Sequence, residues 1–177
     1  MVDNIKVEYT KTPFGELILG SYNDRLCLCD WRYRKMRFSI DNRLKSGLVT
    51  DFIEESSNIV EETKVQLTQY FNGERTEFDI PLLLIGSYFQ KRVWNALLQI
   101  PYGSTDTYLG LSKKLENQKA IRAVAAANGA NAISIIVPCH RIIGSDGSMV
   151  GYAAGLDTKM KLLKLENALN QSQLSLF

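Results

Sequence analysis

Histidine is almost missing from this chain: one imidazole, His140, serves all 177 residues. A zinc centre built on several histidines is therefore excluded, because such sites draw about four ligands from Cys, His and carboxylate. Cysteine is scarce too, at three, and a sparse, odd set does not make the disulfide framework of a small secreted domain. Cys27 and Cys29 lie two apart in Leu26-Cys27-Leu28-Cys29. On a strand they share a face at about 6.5 to 7 Å, too far for an easy disulfide, and they read as core thiols. No segment approaches the roughly 18 unbroken apolar residues of a membrane span. The opening MVDNIKVEYT lacks the basic-then-apolar layout of a secretion signal. These absences point to a reducing, cytoplasmic setting (nuclear in a eukaryote) with no membrane partner.

What is present suits a globular protein. Hydrophobic residues make up 45% and charged residues 23%, enough to bury a core in one large or two small domains. The net charge of +2 is unevenly spread: residues 1–87 carry 11 basic against 14 acidic side chains, residues 88–177 carry 10 against 5. The basic second half suits contact with a polyanion.

The two halves also differ in pattern. Ile5 to Thr10, Glu16 to Ser21 and Arg25 to Trp31 are short runs of β-formers, separated by Pro13-Phe14-Gly15 and Tyr22-Asn23-Asp24. They predict an antiparallel meander. Asn58 to Phe71 reads as a helix ended by Asn72-Gly73, and Phe78 to Leu84 as an extended segment. Beyond Gly86-Ser87 the chain turns helical: Phe89 to Ile100, then Tyr108 to about Leu115 capped by Thr107, then Lys119 to Asn128 closed by Gly129. The last two form a helix-turn-helix. The expected class is α+β: a scaffold domain over 1–86 with a small antiparallel sheet and helix, and a mostly helical, winged-helix-like domain over 87–177.

Two helices carry unusual faces. Projected at 100° per residue, Ile121, Val124 and Ala125 point inward, while Lys119, Arg122, Ala123 and Ala126 point outward. Alanines beside one lysine and one arginine suit a backbone that must approach another surface closely, such as a DNA groove with Arg122 projecting. They equally suit an Ala-rich helix packed on its own protein. The final helix, Asp157 to about Leu169 with Asp157 as N-cap, places Glu166 inside an apolar arc of Leu156, Met160, Leu162, Leu163, Leu165 and Leu169. A buried carboxylate needs a partner, and Lys159 and His140 are the two candidates.

The remaining feature is chemical. Cys139 precedes His140 in Pro138-Cys139-His140-Arg141, after the apolar stretch Ile133 to Val137, read as a buried strand. A thiol reacts as its thiolate, and a nearby base makes that form accessible. Neighbours in an extended segment face apart, so direct help from the imidazole needs a turn or a bridging water. A buried core cysteine is the alternative.

These residues resemble the O6-alkylguanine-DNA alkyltransferase family. Its features are seen in Pro138-Cys139-His140-Arg141 with Asn131 upstream and Tyr152-Ala153-Ala154-Gly155-Leu156 downstream, in Phe89-Gln90-Lys91-Arg92-Val93-Trp94, in Pro101-Tyr102-Gly103 and in Tyr108. The match is close from about 85 to 168; the first 85 residues resemble the family only in length and strand content. The resemblance implies irreversible, single-turnover transfer of an alkyl group from the O6 of a flipped-out guanine to Cys139, with O4-alkylthymine left open as a second substrate. It makes His140 a water-mediated base, Glu166 its orienting carboxylate, Tyr108 a proton donor that also steers phosphate, and Asn131 the brace of the active-site hinge. Arg122 becomes the finger replacing the extruded base. Lys119, Ala123, Ala126 and Arg141 join it and Tyr108 on the minor groove of duplex DNA, and Val137, Pro138, Tyr152, Ala153 and Ala154 line the base pocket. The partner is DNA, the protein acts as a monomer, and neither a metal nor an organic cofactor is implied. Ala153 stands where many members carry a serine whose hydroxyl can bond O6, and Ala154 where some carry glycine, a change that would narrow the pocket against bulky alkyl groups; both leave the reaction type intact and the substrate range open. A non-catalytic sensor of alkylated DNA with the same fold and a cysteine hydrolase using Cys139, His140 and Glu166 are the competing readings.

Overall fold

The computed structural model describes residues 3–169. The architecture of the described residues is α+β, divided into two compact units: residues 3–87 together with Ala132–Ile136, and Tyr88–Asn131 together with residues 137–169.

In the first unit β1 (Ile5–Thr12), β2 (Gly15–Tyr22) and β3 (Arg25–Trp31) form the expected meander. Both turns follow from their residues. Thr12 Oγ1 donates to the Gly15 carbonyl at 2.7 Å and accepts from the Phe14 amide at 3.2 Å, closing the first hairpin. Asn23 and Asp24 both take positive φ, 47° and 54°, the conformation a two-residue hairpin needs and these side chains tolerate. A short β4 (Phe52–Glu54) adds in parallel to β1, giving the order β3-β2-β1-β4.

Helices cover this sheet. The helix α1 (Arg37–Leu48), absent from the sequence reading, sets Ile40 and Leu44 into a core of Ile5, Val7, Ile18, Cys27 and Leu28. The helix α2 (Asn58–Phe71) begins and ends where its pattern predicted. Ser57 caps it by accepting the Val60 amide at 3.2 Å, and it packs across β1, β2 and β3.

The segment Ala132–Ile136 departs from expectation on two counts. It joins the first unit although the sequence division at 86/87 places it in the second. Its backbone bonds to β3, with Cys29 N donating to Ala132 O at 2.9 Å and Ser134 N to Cys29 O at 2.6 Å. It is also not a strand beyond one bridge at Ile133. Ile136 N bonds back to Ser134 O at 2.9 Å across Ile135, whose φ is 72°. A three-residue turn with positive φ at a β-branched residue is strained, and stands only where surrounding structure holds it. An apolar run signals burial, not extension, which is why the run misled.

In the second unit α3 (Tyr88–Leu97) buries Val93, Trp94 and Leu97, and Trp94 Nε1 donates to Ala127 O at 2.8 Å, tying α3 to α5. The pair β5 (Asp106–Thr107) and β6 (Ile142–Ile143) lies beside α4 (Tyr108–Lys114). The helix expected over 119–128 is a 3₁₀ turn, Gln118–Ala120, leading into α5 (Ile121–Gly129). Ile121, expected inward, is exposed, since the helix proper starts there and Val124, Ala127 and Asn128 supply the buried face. The last helix, α6 (Leu156–Leu165), is entered through Gly155, not capped by Asp157, which sits in its first turn. Leu156 is exposed for the same reason, and Glu166 is the C-terminal cap. Among the described residues no helix is long and apolar enough to cross a membrane.

Candidate active site

The chain reaches Cys139 through a second tight turn. Pro138, at φ −82° and ψ 61°, lets Cys139 N bond back to Val137 O at 2.8 Å, the inverse γ-turn geometry. Cys139–Arg141 then form one 3₁₀ turn. This supplies the break that the sequence argument required, since adjacent side chains on a 3₁₀ turn do not point to opposite faces.

Asn131 holds that turn from upstream. Its Nδ2 donates to Val137 O at 2.9 Å and to Cys139 Sγ at 3.3 Å. A donor aimed at sulfur favours the ionised form, the form that attacks.

His140 is wholly buried, and Glu166 is its partner: Nε2 lies 2.7 Å from Glu166 Oε1. Lys159 is therefore not the counter-ion of Glu166. Its buried amine donates to the carbonyls of Ile142, Val150 and Gly151, fixing the loop ahead of α6. Burial would raise the Glu166 carboxyl, but the hydrogen bonds from His140 and Arg141, with the charge of the guanidinium, outweigh it and bring it down to about 2. Burial pushes the His140 imidazole below its ordinary value, against the pull of Glu166. The pair is thus carboxylate and neutral imidazole. A carboxylate only accepts, so Nε2 carries the proton and Nδ1 the lone pair. Among the described residues, Nδ1 makes no hydrogen bond to protein.

Arg141 is corrected by the structure. Expected on DNA, it is buried, with Nε donating to Glu166 Oε2 at 2.8 Å, Nη2 to Oε1 at 3.0 Å and Nη1 to Ile100 O at 2.6 Å. Tyr102 lies against it, its ring centroid 5.9 Å from the guanidinium, and donates to Leu165 O at 3.1 Å. Gly103 adopts φ 74°, where a Cβ would stand 3.1 Å from Glu166 O. The sequence held this Pro-Tyr-Gly turn as a motif without assigning it work.

Tyr108 opens α4, capped by Thr107, whose Oγ1 accepts the Gly110 amide at 2.9 Å. Asp106 folds so closely over this helix start that a Cβ on Gly110 would stand 2.0 Å from its Oδ1, and Lys114 reaches its Oδ2 at 2.8 Å. The Tyr108 hydroxyl is pushed above its ordinary value by burial and by charge on Cys139, partly offset by a hydrogen bond with the Asn128 side chain. It stays protonated at neutral pH and can donate. Asn128, passed over in the sequence, had no signal beyond its place on the inner face of α5.

The outward face of α5 is as projected: Arg122, Ala123 and Ala126 are exposed, as is Lys119 just before it. Among the pocket candidates Val137 and Pro138 are buried, while Tyr152, Ala153 and Ala154 are half-buried. Tyr152 stands edge-on to His140, ring centroids 6.4 Å apart.

Comparison with known proteins places this geometry. Residues 88–168 match the family model of the 6-O-methylguanine DNA methyltransferase DNA-binding domain, and residues 5–84 match that of its ribonuclease-like domain. The first half thus belongs with the same proteins, beyond what strand content alone suggested. The chain is 42% identical over 158 residues to a methylated-DNA–protein-cysteine methyltransferase of Methanosarcina acetivorans, covering 89% of this chain and 96% of that one. It is 53% identical over 112 residues to its namesake from Mycolicibacterium paratuberculosis, 63% of this chain and 68% of that one. Among solved structures, Mycobacterium tuberculosis O6-methylguanine methyltransferase superposes with a TM-score of 0.78 at 36% identity, over 98% of this chain and 99% of the other. The same organism's protein in complex with DNA gives 0.79 at 37% identity, over 97% and 99%.

Proposed function

Because this chain belongs to the O6-methylguanine-DNA methyltransferase family, we propose that it repairs DNA by moving the alkyl group of O6-alkylguanine onto its own Cys139, once per molecule. The thiol proton passes through a water to Nδ1 of His140, the sulfur bonds the alkyl carbon, and the carbon–O6 bond breaks. Tyr108 donates toward the guanine as charge grows on it. Cysteine and O6-alkylguanine become S-alkylcysteine and guanine, a balance needing no cofactor. Glu166 fixes the ring, and Asn131 steadies both the turn and the sulfur.

A base inside a duplex cannot present its O6 substituent to a buried sulfur, so the nucleotide must flip, at a cost of a few kcal/mol. Ala123 and Ala126 let α5 lie close in the minor groove, Lys119 and Tyr108 meet phosphate, and Arg122 fills the vacated stack. Val137, Pro138, Tyr152, Ala153 and Ala154 receive the base. With alanine at 153, only backbone N–H groups near that position can serve O6, which gives Tyr108 the larger share. We place the protein, acting as a monomer, in a reducing compartment, the cytoplasm or a nucleus.

The observation that carries this reading is the set Asn131 Nδ2 to Cys139 Sγ at 3.3 Å and Glu166 to His140 Nε2 at 2.7 Å with Nδ1 left to act. Peptide mass spectrometry after mixing with duplex O6-methylguanine DNA should find one added methyl on the peptide holding Cys139, at no more than one event per protein. Many turnovers without an adduct would instead favour the hydrolase.

A further inference from the structure

Resting on the reading of His140 as the base for Cys139, we infer that Arg141 is a positioning residue of the transfer. It clamps both carboxylate oxygens of Glu166, so that this carboxylate orients His140 without drawing a second proton onto the ring.

The geometry carries the argument. Glu166 Oε2 takes Arg141 Nε at 2.8 Å, and Oε1 is shared between Arg141 Nη2 at 3.0 Å and His140 Nε2 at 2.7 Å. The third arm of the guanidinium is fixed by the Ile100 carbonyl at 2.6 Å, so the fork has no freedom to turn away. The side chains of His140 and Glu166 are 0% exposed and that of Arg141 8%, so charge here is poorly screened. In such a place an isolated histidine and carboxylate would settle as imidazolium and carboxylate, two charges that cancel. Both ring nitrogens would then be donors, and the base would be lost. With Arg141 in place the carboxylate is already neutralised, and protonating the ring would leave an uncompensated buried cation.

The other groups facing His140 act in the same sense or are uncharged. Lys159, from α6, lowers it further by its positive charge. Tyr152 presents a ring edge at 6.4 Å, and Tyr102 faces Glu166 and Arg141 with its hydroxyl spent on Leu165 O. Cys139 adjoins His140 in the chain as the thiol to be ionised. Arg141 is thus a fixed cation bonded to the carboxylate that orients the base.

The test is the pH dependence of transfer from duplex O6-methylguanine by the whole protein, for wild type, Arg141→Met and Arg141→Lys. Removing the charge should raise the pH at which the acid limb falls. The ratio of the rate at pH 8 to that at pH 6 should grow about ten-fold over wild type in Arg141→Met. Arg141→Lys, which keeps the charge but not the fork, should lie between. A purely structural arginine would slow both variants equally at every pH and leave the limb where it was, which overturns the proposal. If Arg141→Met does not fold, the lysine variant carries the test in the same way. Because His140 is the sole histidine, ¹⁵N-imidazole spectra need no assignment. The ring should titrate at higher pH in both variants, and an unchanged titration overturns the proposal. Failure of the underlying reading looks different: His140→Gln would keep the wild-type acid limb.

Discussion

The sheet unit and the helical unit both bury cysteine, and they treat sulfur in opposite ways. Cys27, Cys29 and Cys139 are at most 3% exposed, so burial ranks them alike. In the sheet unit the thiols donate: Cys27 Sγ to Gly20 O at 3.5 Å and Cys29 Sγ to Ser134 O at 3.4 Å. Carbonyl acceptors favour the S–H form, and burial pushes the Cys27 thiol up to about 12. In the helical unit Cys139 accepts an N–H from Asn131 and follows a strained approach that ends in a 3₁₀ turn. What separates the three sulfurs is therefore the polarity of the neighbouring hydrogen-bonding groups, not depth.

The most severe way to break this contrast is to exchange the sulfurs' fates. Cys139→Ala should lose alkyl transfer by at least about three orders of magnitude, with DNA affinity within a few-fold. The double change Cys27→Ala with Cys29→Ala should keep the transfer rate within about two-fold while lowering stability by about 2 kcal/mol through lost packing. Single-turnover kinetics and urea unfolding read the two quantities. Methyl appearing on Cys27 or Cys29 would erase the distinction.

The same polarity explains what the sequence could and could not disclose. Local patterns were legible: three strands with their turns, α2 from Asn58 to Phe71, the Thr107 cap, and an outward face on α5 bearing Arg122. The helix α1 was not, because only Ile40 and Leu44 of its twelve residues are buried and Met36 offers no side-chain cap. The run 133–137 carried the signature of burial but not its backbone, which Cys29 shapes from more than a hundred residues away. Glu166 could be recognised as needing a partner, and two were named. That Arg141 turns inward to share it, and that Asn128 reaches Tyr108, depend on tertiary placement that no periodicity encodes.

A sharper test converts one environment toward the other. Asn131→Leu is close to isosteric and removes the donor from both Cys139 Sγ and Val137 O. Val137 O keeps the Cys139 amide as a donor at 2.8 Å, so the lost hydrogen bond costs about 1 kcal/mol. The transfer rate should fall about ten- to a hundred-fold, because the amide donor that favours the ionised sulfur is gone. Rate against pH, with the methylated peptide quantified, distinguishes this from simple loss of fold. A rate within two-fold of wild type would confine Asn131 to bracing the backbone.

The smallest expected effect lies on the other side, at Cys27. Its thiol holds its proton up to about 12 in the folded protein, against 9.0 for an ordinary thiol. Between those values the unfolded chain loses a proton that the folded chain keeps, so stability is full below pH 9 and declines as pH rises through the window. At pH 10 the loss is about 1.4 kcal/mol, by one pH unit of difference. Lys159 works in the opposite direction, since burial brings its amine down to about 8 from 10.5, and stability rises as pH passes from the lower value to the higher. Absolute curves would therefore mix the two contributions. Subtracting the unfolding free energies of Cys27→Ala from those of wild type cancels Lys159 and leaves a difference that shrinks from pH 9 to pH 11. A difference that stays flat across that range would mean the buried thiol ionises as freely in the sheet as in the unfolded chain, and the contrast with Cys139 would lose its electrostatic basis.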